Sequence, residues 1–180
     1  MRAVTNSEAP RERNPFLEAV GRVTLAGAQL DFSLRGLLGA LSHDPTLLMY
    51  ANAANTSQLL EFCKLALKSG IVGLEDAAEI EVCLRRAEKF RDRRNTIVHA
   101  LYGQDESGTG MEAMNPARKQ LGYHVSAVSV AEMEALADKM VFLQDDLFRA
   151  GWNARASRTR GMDRMPPRPP GQAVNGIAPC

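Results

Sequence analysis

Cysteine is scarce in this 180-residue chain, and its three copies, Cys63, Cys83 and Cys180, are odd in number and lack metal-ligand spacing. That argues against a disulfide framework and against a cysteine zinc site. Cys63 and Cys83 fall in helical apolar patterns and read as buried reduced thiols. Histidine also occurs three times, at His43, His99 and His124, never in a cluster. No stretch approaches the length of a membrane span, and the polar opening, Met1 to Asn14, has no hydrophobic run for a signal peptide. The expectation is a soluble cytoplasmic protein. No glycine-rich loop has phosphate-binding spacing and no serine stands in an elbow motif, so neither a metal nor a cofactor is expected. A strong charge of one sign is missing too: the net charge is +1. From Asn153 onward five arginines (155, 158, 160, 164 and 168) face the single Asp163, so the body before them is slightly acidic. A wholly basic nucleic-acid binder is thereby excluded.

What is present is helical periodicity. Phe16, Val20, Val23, Gly27, Leu30, Leu34, Leu37 and Leu41 alternate spacings of three and four, with Asn14-Pro15 as cap and first position. The run Ala26-Gly27-Ala28 lets a neighbouring helix approach closely. Ser42-His43-Asp44-Pro45 breaks the pattern, and Thr46 to Tyr50 adds a turn or a short helix. A second long helix is expected from Thr56 to Lys68, with Leu59, Leu60, Phe62, Cys63, Leu65 and Ala66 inward, closed by Ser69-Gly70. A third runs from Leu74 to Tyr102 and stops at Gly103. Between Gln104 and Ser126, glycines, Asn115-Pro116 and the alternation Leu121, Tyr123, Val125 indicate a small β-hairpin. Ser129-Val130-Ala131-Glu132 reads as a capping box opening a fourth helix. Its inner residues are Val130, Met133, Leu136, Ala137, Met140, Leu143, Leu147 and Phe148, with Trp152 sealing its end. Pro166-Pro167-Arg168-Pro169-Pro170 cannot be helical. The expected organisation is therefore a flexible arm over 1–13, an all-α antiparallel four-helix bundle over 14–152 with a hairpin between helices three and four, and a disordered Arg/Pro-rich tail over 153–180.

The chemistry concentrates in Phe90-Arg91-Asp92-Arg93-Arg94-Asn95-Thr96-Ile97-Val98-His99-Ala100. At about 100° per residue, Ile97, Phe90, Cys83, Leu101, Ala87, Ile80 and Val98 all lie within roughly 60° of Arg94. Arg94 thus sits at the centre of an apolar stripe, where an unpaired charge is costly. His99 falls about 140° from it, with Asn95 about 40° from His99, at the stripe's edge. A local rule broken in this way marks a functional candidate. Arg85, Arg86, Lys89, Arg91, Arg93 and Arg94 outnumber Glu88 and Asp92 here, which fits a solvated face or an RNA contact through Lys89, Arg91 and Arg93. For His43, in a breaker loop, and His124, in a strand pattern, a structural or solvent role is the simpler reading.

Arg94-Asn95-Thr96-Ile97-Val98-His99 resembles the signature of the HEPN superfamily: arginine, a polar residue, three more residues, then histidine. The context is similar, since the motif stands late in a long helix with one more helix to follow, over roughly Asn14 to Trp152. The resemblance implies an antiparallel helical fold that dimerises. For many members it also implies metal-independent RNA cleavage, in toxins and in defence ribonucleases; other members are catalytically silent binding modules. Under this reading Arg94 holds and polarises the phosphate, His99 transfers protons and Asn95 positions one or both. A two-fold dimer would bring two such sets to one cleft and explain the cation in the apolar seam. Some toxin members carry a tyrosine two residues after the histidine that a partner enzyme modifies; here Leu101 stands there and Tyr102 follows. A cognate antitoxin or regulatory protein remains open as a partner. The competing reading is structural: Arg94 paired with a carboxylate, Asp31 being the candidate, and His99 bonded to a carbonyl at the helix end. Arg118 and Lys119 in the hairpin and the arginine tail are further RNA contacts or simple solubilising groups.

Overall fold

A computed structural model of the chain describes residues 13–107, 110–117 and 121–166. They form five helices, α1 (Pro15–Leu41), α2 (Pro45–Ala53), α3 (Thr56–Lys68), α4 (Leu74–Val98) and α5 (Val130–Ala156). Three strands lie between α4 and α5: β1 (Leu101–Gln104), β2 (Met111–Pro116) and β3 (Tyr123–Ala127).

The caps follow from short polar side chains at the chain's breaks. Asn14 Oδ1 accepts from the N–H groups of Phe16 and Leu17, with Pro15 at the first helical position. Asp44 caps α2 in the same way ahead of Pro45, so the segment after the break is a helix of its own. Asn55 and Gln58 form a reciprocal capping box at the start of α3. Ser129 Oγ accepts from Glu132 N–H and opens α5.

The core lies where α1 packs along α5 and against α3 and α4, while α4 packs on α3 and α5. Val23, Leu30, Leu34, Leu37 and Leu41 of α1 meet Leu59, Leu60, Ile80, Leu84, Leu136, Met140, Leu143 and Leu147. Gly151 lets α5 close on α1, since a Cβ there would stand 3.3 Å from Leu37 Cδ1. Two carboxylates are buried among the described residues, Asp76 and Asp146, and each meets an arginine: Arg164 at 2.8 Å and Arg86 at 2.7 Å. A buried charge is tolerable only with such partners. No helix among the described residues is long and apolar enough to cross a membrane.

Several expectations are corrected. Leu65 and Phe148 face outward, 60% and 59% exposed, rather than into the core. The third long helix stops at Val98, not Tyr102, because Leu101 and Tyr102 pair with Met114 and Ala113 across β1 and β2. The hairpin is a three-stranded antiparallel sheet in the order β1-β2-β3. The C-terminal boundary also moves. The last helix continues past Trp152 to Ala156, and residues 157–166 fold back on the domain. Arg158 Nη2 donates to Ala40 O, Trp152 Nε1 donates to Asp163 O, and Arg164 reaches Asp76. Residues 1–12 and 167–180, together with Arg118 and Lys119, lie outside the described residues, so the expectations for the arm, the distal tail and those two cations fall there.

Candidate functional site at the end of α4

The last turn of α4 is closed by its own backbone and by Tyr102. His99 is the C-cap, with φ −105° and ψ 4°, and its backbone N–H donates to Asn95 O. Tyr102 Oη donates to Ile97 O at 2.7 Å, satisfying one of the open carbonyls of the last turn. The ring of Tyr102 also meets Phe16 edge-on, with centroids 4.8 Å apart. This contact ties the start of α1 to the end of α4, and burial pushes the Tyr102 phenol above its ordinary pKa.

Arg94 packs against a helix of its own chain, lying across α1. A Cβ built on Gly27 would stand 2.9 Å from Arg94 Nε, 3.4 Å from its Cγ and 3.5 Å from its Cδ. The notch left by glycine therefore admits the guanidinium. Arg94 Nη1 donates to Asn95 Oδ1 at 2.9 Å. Its Nε is buried with no acceptor, and so is Asp31 Oδ1, one turn beyond Gly27 on α1. The expected Arg94–Asp31 ion pair is not formed. Each such orphan costs on the order of 1–3 kcal/mol. Arg94 Nη2 is the nitrogen of the group that is neither buried nor bonded. The side chain as a whole is half-buried, and His99 is exposed.

Asn95 thus holds Arg94, while its link to His99 is through the backbone alone. The surrounding cations divide. Arg91, on the side of α4 that carries Asn95, donates to Ser57 Oγ at the start of α3 and to Asp92. Lys89 and Arg93 turn the other way, Arg93 approaching Glu132 of α5 at 3.8 Å. A cleft of about 180 Å³ on that second side is lined by Arg93, Thr96, Ile97, Tyr102, Asn115 and Glu132 among others, and by none of the motif triplet. The structure therefore brings together Arg94, Asn95 and Arg91 and leaves Lys89 and Arg93 apart from them. His43 and His124 are exposed and remote from the triplet in sequence and in element. Among the described residues no three His, Cys, Asp or Glu side chains converge as a metal site requires.

Gly27 is the site residue whose part the sequence reading missed. Its signal was present: a glycine on one apolar seam and an arginine on another are volume complements when the two helices pack. Comparison with protein-family models, with curated proteins and with solved structures finds no match for this chain.

Proposed function

We propose that this chain is an endoribonuclease of HEPN type that works without metal, acts as a homodimer, and cleaves RNA through attack of a 2′-hydroxyl on the adjacent phosphorus. In this reading α1, α3, α4 and α5 are the antiparallel four-helix bundle, and α2 and the sheet are additions to it. The observation that carries it is a half-buried arginine with one free amino group, fixed by Gly27 and Asn95, five residues before an exposed histidine at the helix end. A guanidinium so fixed pairs with a phosphate oxygen and stabilises the charge that grows on it. An imidazole open to solvent takes the proton from the 2′-hydroxyl or returns one to the leaving 5′-oxygen. One copy supplies one imidazole, and the two proton transfers need two groups, so two copies sharing a cleft complete the set. Arg91 adds a phosphate contact beside it.

A second reading is a non-catalytic RNA-binding or protein-interaction module. The buried Nε of Arg94 favours it, because that geometry suits a structural cation. Cleavage of single-stranded RNA in a chelating buffer separates the two. The enzyme reading expects products with 2′,3′-cyclic phosphate ends and no cut at a linkage whose sugar lacks the 2′-hydroxyl. Intact RNA after prolonged incubation with the dimer supports the module instead.

A further inference from the structure

The cleft on the second side of α4 has no part in the site built so far. Its floor is apolar: Ala113 and Met133 are buried, and Ile97 and Val128 are half-buried beside them. Its rim is polar. Arg93 and Glu132 stand there side by side, their nearest nitrogen and oxygen 3.8 Å apart and their side chains 56% and 74% exposed. That separation is longer than a hydrogen bond, and water screens most of the attraction, so both charges are available to a third group. Across the sheet Tyr102 pairs with Ala113 and Ala113 with Ser126, and Asn115 stands two residues on, so these share the face turned to α4 and α5. The amide of Asn115 and the hydroxyl of Ser126 have no hydrogen-bond partner among the described residues.

We propose that this cleft is the base-specificity site of the ribonuclease and takes guanine from single-stranded RNA. This rests on the ribonuclease reading above. Size sets the class of ligand. A volume of about 180 Å³ falls below the roughly 300 Å³ at which pockets for drug-sized ligands begin, and it suits one flat heterocycle on an apolar floor. An unpaired RNA base is such a group, splayed from its strand and read along its edges. The charges then select the base. Along its edge guanine presents two donors in a row, N2–H and N1–H, followed by two acceptors, O6 and N7. A carboxylate offers two acceptors, and the guanidinium fork offers paired donors. Glu132 and Arg93, standing next to each other, present that complement in order: carboxylate to N1–H and N2–H, guanidinium to O6 and N7. Adenine and cytosine offer a carboxylate one amino group and uracil one ring N–H, so none of them fills both sites of Glu132 while Arg93 is also engaged. The free amide of Asn115 adds one donor and one acceptor at the same rim.

The cleft adjoins the motif through His99. Round α4 the order is Arg94, Asn95, His99, Thr96 and Arg93, at about 0°, 100°, 140°, 200° and 260°. His99 follows Thr96, which lines the cleft, by three positions, a spacing that brings Cβ atoms to about 5–6 Å. A strand crossing the end of α4 therefore meets first the guanidinium that holds the phosphate, then the imidazole, then the cleft. Base and 2′-hydroxyl sit on adjacent carbons of one ribose. The base in the cleft thus belongs to the nucleotide whose 2′-hydroxyl attacks, and the cut falls on the 3′ side of guanosine, leaving guanosine 2′,3′-cyclic phosphate.

The experiment takes two readouts on the full chain: calorimetric affinity for the four nucleoside 3′-monophosphates, and the terminal base of fragments cut from single-stranded RNA of mixed sequence. Guanosine 3′-monophosphate is expected to bind on the order of 10- to 100-fold tighter than the other three, and fragments are expected to end in guanosine. Glu132→Gln puts an amide donor where one acceptor oxygen stood, on an exposed side chain, and is expected to lower that selectivity ratio on the order of 10-fold in both readouts. Arg93→Gln is the second variant, acting through O6 and N7. A purely structural role for either residue would weaken all four nucleotides together and leave the ratio unmoved. Fragments ending in all four bases alike, or a ratio that neither variant moves, overturn the guanine site and leave the ribonuclease reading standing. Selective guanosine monophosphate binding, lost in Glu132→Gln, by a protein that cuts no RNA keeps the cleft as a guanine site and sinks the ribonuclease reading. No nucleotide bound and no RNA cut overturns both.

Discussion

A methyl group at position 27 would stand 2.9 Å from Arg94 Nε, closer than real side chains approach one another. Alanine is nonetheless the better helix former, by about 0.5–1 kcal/mol in a helix interior. The two effects separate cleanly. In an Arg94→Ala background, Gly27→Ala is expected to raise Tm by about 1–4 °C. With Arg94 present the same change is expected to lower Tm or leave it flat. Equal increases in both backgrounds, read by thermal melts, would show that the guanidinium does not occupy the notch. Cys63 gives a second test. It is buried, its Sγ faces Leu34 O, and burial pushes its thiol from 9.0 up to about 12. Folding thus favours the protonated thiol, so this group's share of stability is complete below about pH 9 and is lost as pH rises towards about 12. A Cys63→Ala variant should lose less stability than wild type between those limits, and native Cys63 should resist thiol reagents at pH 8. Rapid labelling without unfolding would contradict this.

At the scale of elements, the C-terminal segment carries more of the fold than its composition indicates. Arg164 and Ser157 both engage Asp76, which is 4% exposed at the start of α4. Asp76→Asn removes the charge from that pair and is expected to cost about 1–2 kcal/mol, a fall of about 2–8 °C in Tm. Arg164→Ala should cost less by itself, because its side chain is partly solvated, and should add little on top of Asp76→Asn. Additive losses would show that the two do not act as a pair. The sequence was legible where a pattern was local. The α1 seam, the Asn14-Pro15 start, the bounds of α3 and the opening of α5 at Ser129 follow from capping chemistry and a 3.6-residue period. It was misleading where a distant partner decides. Leu101 and Tyr102 continue the helical stripe of α4 on paper, yet pairing with β2 draws them into a strand. Phe148 fits the inner period of α5 but stands at its edge, beside Phe32 in an open groove between α1 and α5. The arginines after Asn153 look like a solvated tail, and only the burial of Asp76 reveals where Arg164 goes.

For the whole molecule, the motif and its scaffold separate in the same way. The Arg94-Asn95-His99 spacing marks a candidate site from sequence alone, and the notch that admits Arg94 becomes visible only when α4 is packed on α1. That notch is Gly27, in the same chain. The account is tested most directly by the rate at which the His99→Ala variant cuts single-stranded RNA under single-turnover conditions. His99 is exposed and caps α4 through its backbone, so the variant should melt within about 1–2 °C of wild type and keep the wild type's oligomeric state. Loss of the proton-transfer group is expected to slow cleavage by about 10²- to 10⁴-fold. A folded His99→Ala protein that cuts at the wild-type rate would contradict the account.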